Sequence, residues 1–368
     1  SGFTMFINGG HLYINGDYRI QSESTSEDGT LVYGRSTGYL KMINPSDYIR
    51  VSGSFFIQSD NAINSEMLKE GVIEIKGDFV QKLGQYYSLG YYDRKNNFAP
   101  GGNHKVILSG SDVQNINFQN SVESYFNILE LKNYSKGGIV FTTSFNAKSF
   151  ISNNCNVTMK SISSMDWKLS QDAVLEDGVY LLGNTLDLNG YKLTINGDLI
   201  QSGGVLNVNG GSLIVNGDYR IQTESKASDG TATYSKGNGL LKMLNVQDYV
   251  LVNGSFYIQS GDVNGPSVLS AGVLEVKGDF IQLAGQYYNY GTYDRKNNFN
   301  PGGSHKVVLS GSGVQNVSFQ YPNDSYINVL QITKPIETGY TFNKTPIWKQ
   351  LVYDEEAPSI PLELRSEE

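Results

Sequence analysis

Residues 193–201 read Leu-Thr-Ile-Asn-Gly-Asp-Leu-Ile-Gln, and twenty positions later residues 213–221 read Leu-Ile-Val-Asn-Gly-Asp-Tyr-Arg-Ile. Each segment holds a short run of alternating apolar residues, a glycine-containing corner and a second short run. Alternation with a period of two predicts β-strands, and glycine is expected at a sharp corner because it tolerates positive φ. Related segments with glycine corners continue along the chain, so the sequence predicts many short strands joined by repeated turns.

The spacing of these segments favours a parallel β-solenoid. About twenty residues is too short for a strand–helix–strand unit, and the residues between the strands lack helical periodicity. Stacked coils explain why the same corner returns at each level, whereas a β-sandwich array, the alternative, does not. Residues on the strand before each corner should form an inward apolar ladder. Its predicted members are Ile195, Val215, Val252, Val276 and Val308.

A much longer repeat encloses these segments. Residues 15–21 return 201 positions later as residues 216–222, and residues 93–98 return unchanged as residues 294–299. The alignment needs no gap as far as Tyr125 and Tyr326. We therefore predict an all-β fold, a single-stranded parallel β-helix built from two tandem copies of a unit of about 200 residues with inserted loops.

The predicted organisation has three parts. Residues 1–201 form the first solenoid unit, residues 202–353 form a truncated second unit, and residues 354–368 form an acidic, proline-punctuated exit. The last part contains Ala-Pro-Ser-Ile-Pro followed by leucine. It resembles the opening strand of bacterial fibronectin type III modules, which implies a further module of that type.

The coils themselves also carry a resemblance. Leu-Thr-Ile-Asn-Gly-Asp at residues 193–198 and His-Lys-Val-Val-Leu-Ser-Gly at residues 305–311 resemble repeats in large surface proteins of clostridia and related Gram-positive bacteria. The combination of a β-helix with aromatic loops is also similar, in architecture alone, to the tapirins, which are cellulose adhesins. The resemblance implies a secreted or bacterial cell-surface location and no catalytic motif.

The amino-acid composition bears on which classes of binding partner are expected. The formal net charge is −8 and the sequence pI is about 5.1, which argues against a nucleic-acid partner. No segment approaches the ~18 consecutive apolar residues of a membrane span, so we expect no membrane insertion. The single cysteine, Cys155, excludes an intrachain disulfide. We expect a monomeric module of a larger protein.

Recognisable catalytic motifs are missing from the sequence. It holds no His-Glu-x-x-His, no Gly-x-Ser-x-Gly and no phosphate-binding Gly-Lys-Ser/Thr. The equivalent His104 and His305 are interpreted as packing residues. We therefore predict that the protein is not an enzyme and has no catalytic residues. The alternative is a polysaccharide lyase or hydrolase that uses Asp-Arg-Lys at residues 93–95 and 294–296.

The aspartates that follow the corner glycines could be interpreted in two ways. They could line up as a calcium ladder, although the calcium-binding nonapeptide is not present. We instead expect their carboxylates to accept hydrogen bonds from corner amides, as aspartate does in turns. The prediction is thus no cofactor and no metal, with calcium as the alternative. The residues concerned are Asp17, Asp78, Asp198, Asp218 and Asp279.

Two tyrosine-rich loops are the candidate binding sites. Tyrosine has an apolar face that stacks and a hydroxyl that forms hydrogen bonds, which suits a sugar ring. The predicted function is a cell-surface adhesin or stalk that binds a polysaccharide or cell-surface glycan. The alternative is that the tyrosines only pack their own loops. The candidate residues are Tyr86, Tyr87, Tyr91, Tyr92, Asp93, Arg94, Asn96 and Asn97 in the first loop, and Tyr287, Tyr288, Tyr290, Tyr293, Asp294, Arg295, Asn297 and Asn298 in the second.

Overall fold

The computed structural model describes residues 2–159, 161–162, 166–343 and 347–353. Residues 354–368, predicted to lead into a fibronectin type III-like module, lie outside these described residues. The chain divides into two compact units, Ser1–Asp177 and Gly178–Glu368. The boundary at residue 201 was predicted from the sequence repeat, and it stays a prediction.

The first unit consists of β-strands in its described residues. They are β1 (Thr4–Phe6), β2 (His11–Ile14), β3 (Tyr18–Ile20), β4 (Ser22–Thr25), β5 (Leu31–Gly34), β6 (Tyr39–Lys41), β7 (Tyr48–Val51), β8 (Phe55–Ile57), β9 (Val72–Ile75), β10 (Phe79–Gln81), β11 (Gly84–Tyr87), β12 (Tyr91–Arg94), β13 (Lys105–Leu108), β14 (Gln114–Phe118), β15 (Phe126–Leu131), β16 (Ile139–Phe141), β17 (Ala147–Ile151), β18 (Asn156–Met159), β19 (Ser161–Ile162), β20 (Trp167–Lys168) and β21 (Ala173–Leu175).

Parallel pairing between successive coils builds the sheets of the first unit. One sheet has the order β17-β15-β13-β9-β7-β2, and another has the order β3-β8-β10-β14-β16-β18-β21 within this unit. Their side chains alternate between the core and the surface, as in Tyr48–Val51, where Ile49 and Val51 are fully buried. Two antiparallel hairpins, β4–β5 and β11–β12, project from the coils.

The second unit is also built of short β-strands and adds one short helix in its described residues. Its elements are β22 (Val179–Leu181), β23 (Thr185–Asp187), β24 (Lys192–Ile195), β25 (Leu199–Gln201), β26 (Val205–Asn207), β27 (Ser212–Val215), β28 (Tyr219–Lys226), β29 (Ala232–Lys236), β30 (Leu240–Lys242), β31 (Tyr249–Val252), β32 (Phe256–Ile258), β33 (Val273–Val276), β34 (Phe280–Gln282), β35 (Gly285–Tyr288), β36 (Thr292–Arg295), β37 (Lys306–Leu309), β38 (Gln315–Phe319), β39 (Tyr326–Ile332), α1 (Ile336–Gly339), β40 (Tyr340–Asn343) and β41 (Ile347–Tyr353).

Three sets of parallel strands stack in the second unit. Their orders within this unit are β24-β27-β31-β33-β37-β39-β41, β22-β25-β28-β32-β34-β38-β40 and β23-β26-β30. The antiparallel hairpins β28–β29 and β35–β36 project from them. The predicted all-β fold of the parallel β-helix class is therefore confirmed.

The inward apolar ladder of the second unit is confirmed at four of its five predicted positions. These residues lie in parallel register and are fully buried. The fifth position is wrong, because Val308 pairs with Glu275 and Leu309 lies over Val276. A shift of one residue along a strand turns a side chain to the opposite face of the sheet. The confirmed members are Ile195, Val215, Val252 and Val276.

The corner glycines are needed for close approach between coils. The sequence-based expectation of positive φ is wrong at Gly53, Gly217 and Gly254, which are not among the positive-φ residues. Instead, the N–H of Gly254 donates to the carbonyl of Gly217 at 3.0 Å, and a Cβ on Gly254 would lie 2.5 Å from Oδ1 of Asp218. Side chains larger than hydrogen do not fit between stacked corners.

The corner aspartates connect each coil to the next. Oδ1 of Asp17 accepts the N–H of Ser54 at 2.8 Å, and Oδ1 of Asp218 accepts the N–H of Ser255 at 2.8 Å. Asp78, Asp198 and Asp279 make the same bond to the following corner at 2.7 Å. These bonds satisfy corner amides that the strand ladders leave unpaired. The predicted role of the carboxylates as acceptors is confirmed.

Serine continues the series where a corner lacks aspartate. Oγ of Ser54 accepts the N–H of Asp78 at 2.9 Å, and Oγ of Ser255 accepts the N–H of Asp279 at 2.9 Å. Each unit thus carries an uninterrupted run of side-chain-to-backbone bonds across three or more corners. We refer to this run as the corner ladder.

The corner geometry predicts that Gly53→Ala destabilises the protein and Gly16→Ala does not. A Cβ on Gly53 would lie 2.5 Å from Oδ1 of Asp17 and 2.7 Å from the carbonyl carbon of Gly16, whereas a Cβ on Gly16 has no atom within 4 Å. Overpacking of this kind costs about 1–3 kcal/mol. Urea unfolding of both variants measures the difference, and equal free energies of unfolding would contradict the close-approach role.

Candidate functional site

The two tyrosine-rich loops are antiparallel hairpins with the same register. In β11–β12, Tyr86 lies opposite Tyr92 and Tyr87 lies opposite Tyr91. In β35–β36 the same positions pair Tyr287 with Tyr293 and Tyr288 with Thr292. Because side chains alternate along a strand, each hairpin presents two distinct faces.

One face of the first hairpin anchors it to the solenoid. The guanidinium carbon of Arg94 lies 4.1 Å from the ring centroid of Tyr86, and its Nε donates to the carbonyl of Asp60 at 3.1 Å. The rings of Tyr86 and Tyr92 lie 5.7 Å apart with an interplanar angle of 32°. A stacked guanidinium that also donates to a backbone carbonyl holds the hairpin in place.

The second hairpin reproduces this anchor. The guanidinium carbon of Arg295 lies 3.9 Å from the ring centroid of Tyr287, and its Nε donates to the carbonyl of Gly261 at 2.9 Å. The rings of Tyr287 and Tyr293 lie 5.8 Å apart with an interplanar angle of 31°. Arg94 and Arg295, both candidate binding residues, therefore serve first to attach the hairpins.

The two asparagines at the end of each loop differ in position. Asn97 is fully buried, its Nδ2 donates to the carbonyls of Ser59 and Lys82, and its Oδ1 accepts from Gln81. The equivalent Asn298 is buried in the same network. We leave both out of the binding hypothesis, because their amides are used inside the fold. Asn96 and Asn297 remain half-buried beside the hairpins.

The other face of each hairpin is open to solvent. Tyr87 and Tyr91 are 72% and 75% exposed, and Tyr288 is 81% exposed. Asp93 and Asp294 are exposed beside them. The strand tyrosines on this face are more exposed than those on the anchor face, where Tyr92 and Tyr293 are 50% and 51% exposed. The tyrosines on this face are available to a ligand, whereas Tyr86 and Tyr287 are covered on one face by arginine.

The tip of each hairpin holds a bulky residue in the left-handed region. Leu89 has φ 56° and is 97% exposed, and Tyr290 has φ 49° and is 98% exposed. Every other non-glycine residue with positive φ in the described ranges is asparagine. The 201-residue offset makes Tyr290 the equivalent of Leu89 and Thr292 the equivalent of Tyr91. Sequence reasoning missed Leu89 because leucine carries no signal for this backbone conformation.

A polar depression of about 540 Å³ lies beside the first hairpin. It brings together most of the predicted residues of the first loop. It adds Lys95, which the sequence suggested only for the enzyme alternative, and Glu123, which sequence reasoning left out. Its two carboxylates balance its two cations. The depression is lined by Tyr86, Tyr91, Tyr92, Asp93, Arg94, Lys95, Asn96 and Glu123.

Asp294 of the second hairpin lies in a different environment. The hydroxyl of Tyr321 is 3.3 Å from Oδ2 of Asp294, and Nζ of Lys236 is 4.0 Å from its Oδ1. Nζ of Lys296 lies 5.0 Å from the ring centroid of Tyr321. Tyr321 thus adds an aromatic ring to the second hairpin that the first one lacks.

Within the residues that the structure describes, no three His, Cys, Asp or Glu side chains are placed to hold a metal ion. Across those same ranges, no helix has the length and apolar character to cross a membrane.

Cys155 is buried, and burial raises the pKa of its thiol to about 11. Its thiol is therefore protonated at neutral pH.

His104 and His305 are core residues. Both are fully buried, and their ring nitrogens have no hydrogen-bond partner among the described residues. His104 packs edge-on to Phe98 and His305 packs edge-on to Phe299. Burial lowers the pKa of each imidazole to about 3, so both are neutral at pH 7.

The double variant His104→Leu, His305→Leu should remove an acid-dependent loss of stability. The unfolded histidines bind protons below pH 6.5 while the folded ones do not, so stability falls as the pH falls from 6.5 towards 3. Each histidine should cost about 2 kcal/mol between pH 7.5 and pH 5. Unfolding free energies at the two pH values give the difference for each protein. The same pH difference in wild type and variant would show that the histidines are not buried neutral.

Comparison with known proteins gave no match: no protein-family model, no curated protein and no solved structure is significantly similar to the chain. The hairpins themselves are therefore the features from which a function is inferred. Their shared register, arginine anchor and strained tip occur in both units.

Proposed function

We propose that the chain is a non-catalytic, extracellular β-solenoid module that binds polysaccharide through its two tyrosine hairpins. The observation that carries the proposal is the pair of strained tips. Leu89 and Tyr290 are almost fully exposed in a backbone conformation that asparagine or glycine would adopt at lower energy. Strain and exposed apolar surface at the same equivalent position favour a function in contact with a ligand.

The chemistry of the open face suits sugar rings. Tyr87, Tyr91 and Tyr288 expose rings beside polar side chains, and Asp93 and Asp294 are placed to accept hydrogen bonds from hydroxyl groups. The ring supplies stacking area, and the carboxylate supplies direction. Stacking on a few exposed rings is weak at each hairpin, so two hairpins on one polymer would gain by avidity.

Binding is favoured over catalysis by the state of the candidate catalytic residues. Arg94 and Arg295 are each stacked on a tyrosine and donate to a backbone carbonyl. A guanidinium stays protonated in proteins and is a poor general base. The polysaccharide lyase or hydrolase alternative therefore lacks support from these two positions.

The hairpin tyrosines should account for polysaccharide retention. We expect Tyr87→Ala with Tyr91→Ala to lose part of the binding, and the addition of Tyr288→Ala and Tyr290→Ala to lose nearly all of it. Each ring contributes about 0.5–1.5 kcal/mol, so two rings correspond to about 5- to 150-fold in affinity. Pull-down on insoluble cellulose, chitin, xylan and peptidoglycan measures the retention.

The matched control is Tyr134→Ala, which removes a tyrosine that is 67% exposed outside the hairpins. It should bind as the wild type does. If the wild-type protein binds no polymer in the panel, the proposed binding function is wrong and a structural stalk is the better account.

Substitutions at the two hairpin tips should lower polysaccharide binding without lowering the stability of the fold. Leu89→Asn and Tyr290→Asn place a residue that tolerates positive φ at each tip, so the free energy of unfolding should stay equal or rise by up to about 1 kcal/mol. Polysaccharide retention should fall because the exposed apolar contact is lost. Unchanged retention by this double variant would remove the tips from the binding site.

A further inference from the structure

A second exposed aromatic cluster lies on the outward face of strands β2 and β7. The rings of His11, Tyr13 and Tyr48 contact one another with centroid distances of 5.6–6.3 Å and edge-on geometry. Tyr13 is 61% exposed, and His11 is also exposed. We call these three residues the aromatic patch. It is separate from the tyrosine hairpins in sequence and in sheet position.

Arg50 lies next to the aromatic patch, and its Nε has no hydrogen-bond partner among the described residues. It lies opposite Tyr13 in the parallel register of β2 and β7. Its Nε is also buried. Buried polar groups without a partner are rare in folded proteins and call for an explanation.

The carboxylate of Glu74, which lies opposite Arg50 in the register of β7 and β9, is already held by other residues. It accepts hydrogen bonds from the hydroxyl of Tyr48 and from the hydroxyl of Ser109, the latter at 2.6 Å. Burial opposes ionisation of Glu74, but the hydrogen bonds from Ser109 and Tyr48, together with the charges of Arg50 and Lys76, lower its pKa. Glu74 is therefore satisfied without a direct hydrogen bond to Arg50, whose guanidinium keeps donors for another acceptor.

The second unit shows which of these residues the fold requires. There the hydroxyls of Tyr249 and Ser310 bind Glu275 at 2.7 Å and 2.6 Å, as Tyr48 and Ser109 bind Glu74. The positions of His11, Tyr13 and Arg50, by contrast, are taken by small or aliphatic residues on the same strands. Those residues are Ser212, Ile214 and Leu251. Packing alone does not require an imidazole, a phenol or a guanidinium here.

We infer that the aromatic patch and Arg50 form a binding site for a uronic-acid residue of a polysaccharide. A guanidinium can bind a carboxylate with two parallel hydrogen bonds from its terminal nitrogens, which in Arg50 are not among the buried atoms without a partner. The exposed ring of Tyr13 would contact the face of the same sugar. This site differs in chemistry from the first hairpin, because the depression beside that hairpin has equal numbers of carboxylates and cations. The inference goes beyond the proposed function, because it assigns an acidic sugar to a separate surface.

The test replaces the first-unit residues by those of the second unit. The triple variant His11→Ser, Tyr13→Ile, Arg50→Leu should keep the thermal stability of the wild type, because the same strands accept these residues in the second unit. Its affinity for soluble polygalacturonate should fall by about 10-fold or more, as expected for loss of a charge-assisted bidentate pair. Arg50→Lys keeps the charge but not the fork, and should show a smaller loss.

The reverse substitutions place the three first-unit residues on the equivalent strands of the second unit and should create a new binding site there. Ser212→His, Ile214→Tyr, Leu251→Arg should add a second polygalacturonate site, seen as a doubled stoichiometry by calorimetry. The hairpin variant without its four tyrosines should still bind polygalacturonate, which separates this inference from the proposed function. Wild-type protein that does not bind polygalacturonate, or that binds dextran sulfate equally well, would overturn the uronic-acid site.

Discussion

The contact between stacked corners is the constraint on which the rest of the structure depends. Successive corner backbones lie so close that a Cβ would be 2.7 Å from the carbonyl carbon of Gly16 if placed on Gly53, and 2.6 Å from the carbonyl oxygen of Gly217 if placed on Gly254. That approach lets a carboxylate or hydroxyl in one coil accept the N–H of the next, as Asp218 does for Ser255. Because corner amides would otherwise be unpaired, the corner ladder fixes the register of the strands on both sides.

A fixed register explains how an irregular insertion can be presented twice in the same way. The hairpins leave the coils at equivalent positions, and each is tied back by an arginine that binds a carbonyl of the preceding coil. The buried asparagines Asn97 and Asn298 close the far end of each loop. With both ends held, the strained tips at Leu89 and Tyr290 are supported by the surrounding contacts.

The sequence predicted the architecture well and the site less well, for identifiable physical reasons. Periodicity and the 201-residue repeat were enough for the parallel all-β fold, because alternation and corner recurrence are local signals. The one-residue error at Val308 arose because both neighbours are apolar. The anchoring role of Arg94 and the burial of Asn97 depend on contacts with distant coils. Single-sequence patterns do not encode such contacts.

Hydrogen–deuterium exchange, with and without a soluble oligosaccharide of the polymer that retains the protein, measures both the corner ladder and the hairpin sites. We expect the corner amides of Ser54 and Ser255 to exchange among the slowest in both states. Ligand-dependent protection should be concentrated in peptides covering residues 84–94 and 285–295. Fast exchange at the corners would show that the corner ladder does not hold the coils, and protection that avoids both hairpins would show that they do not bind the ligand.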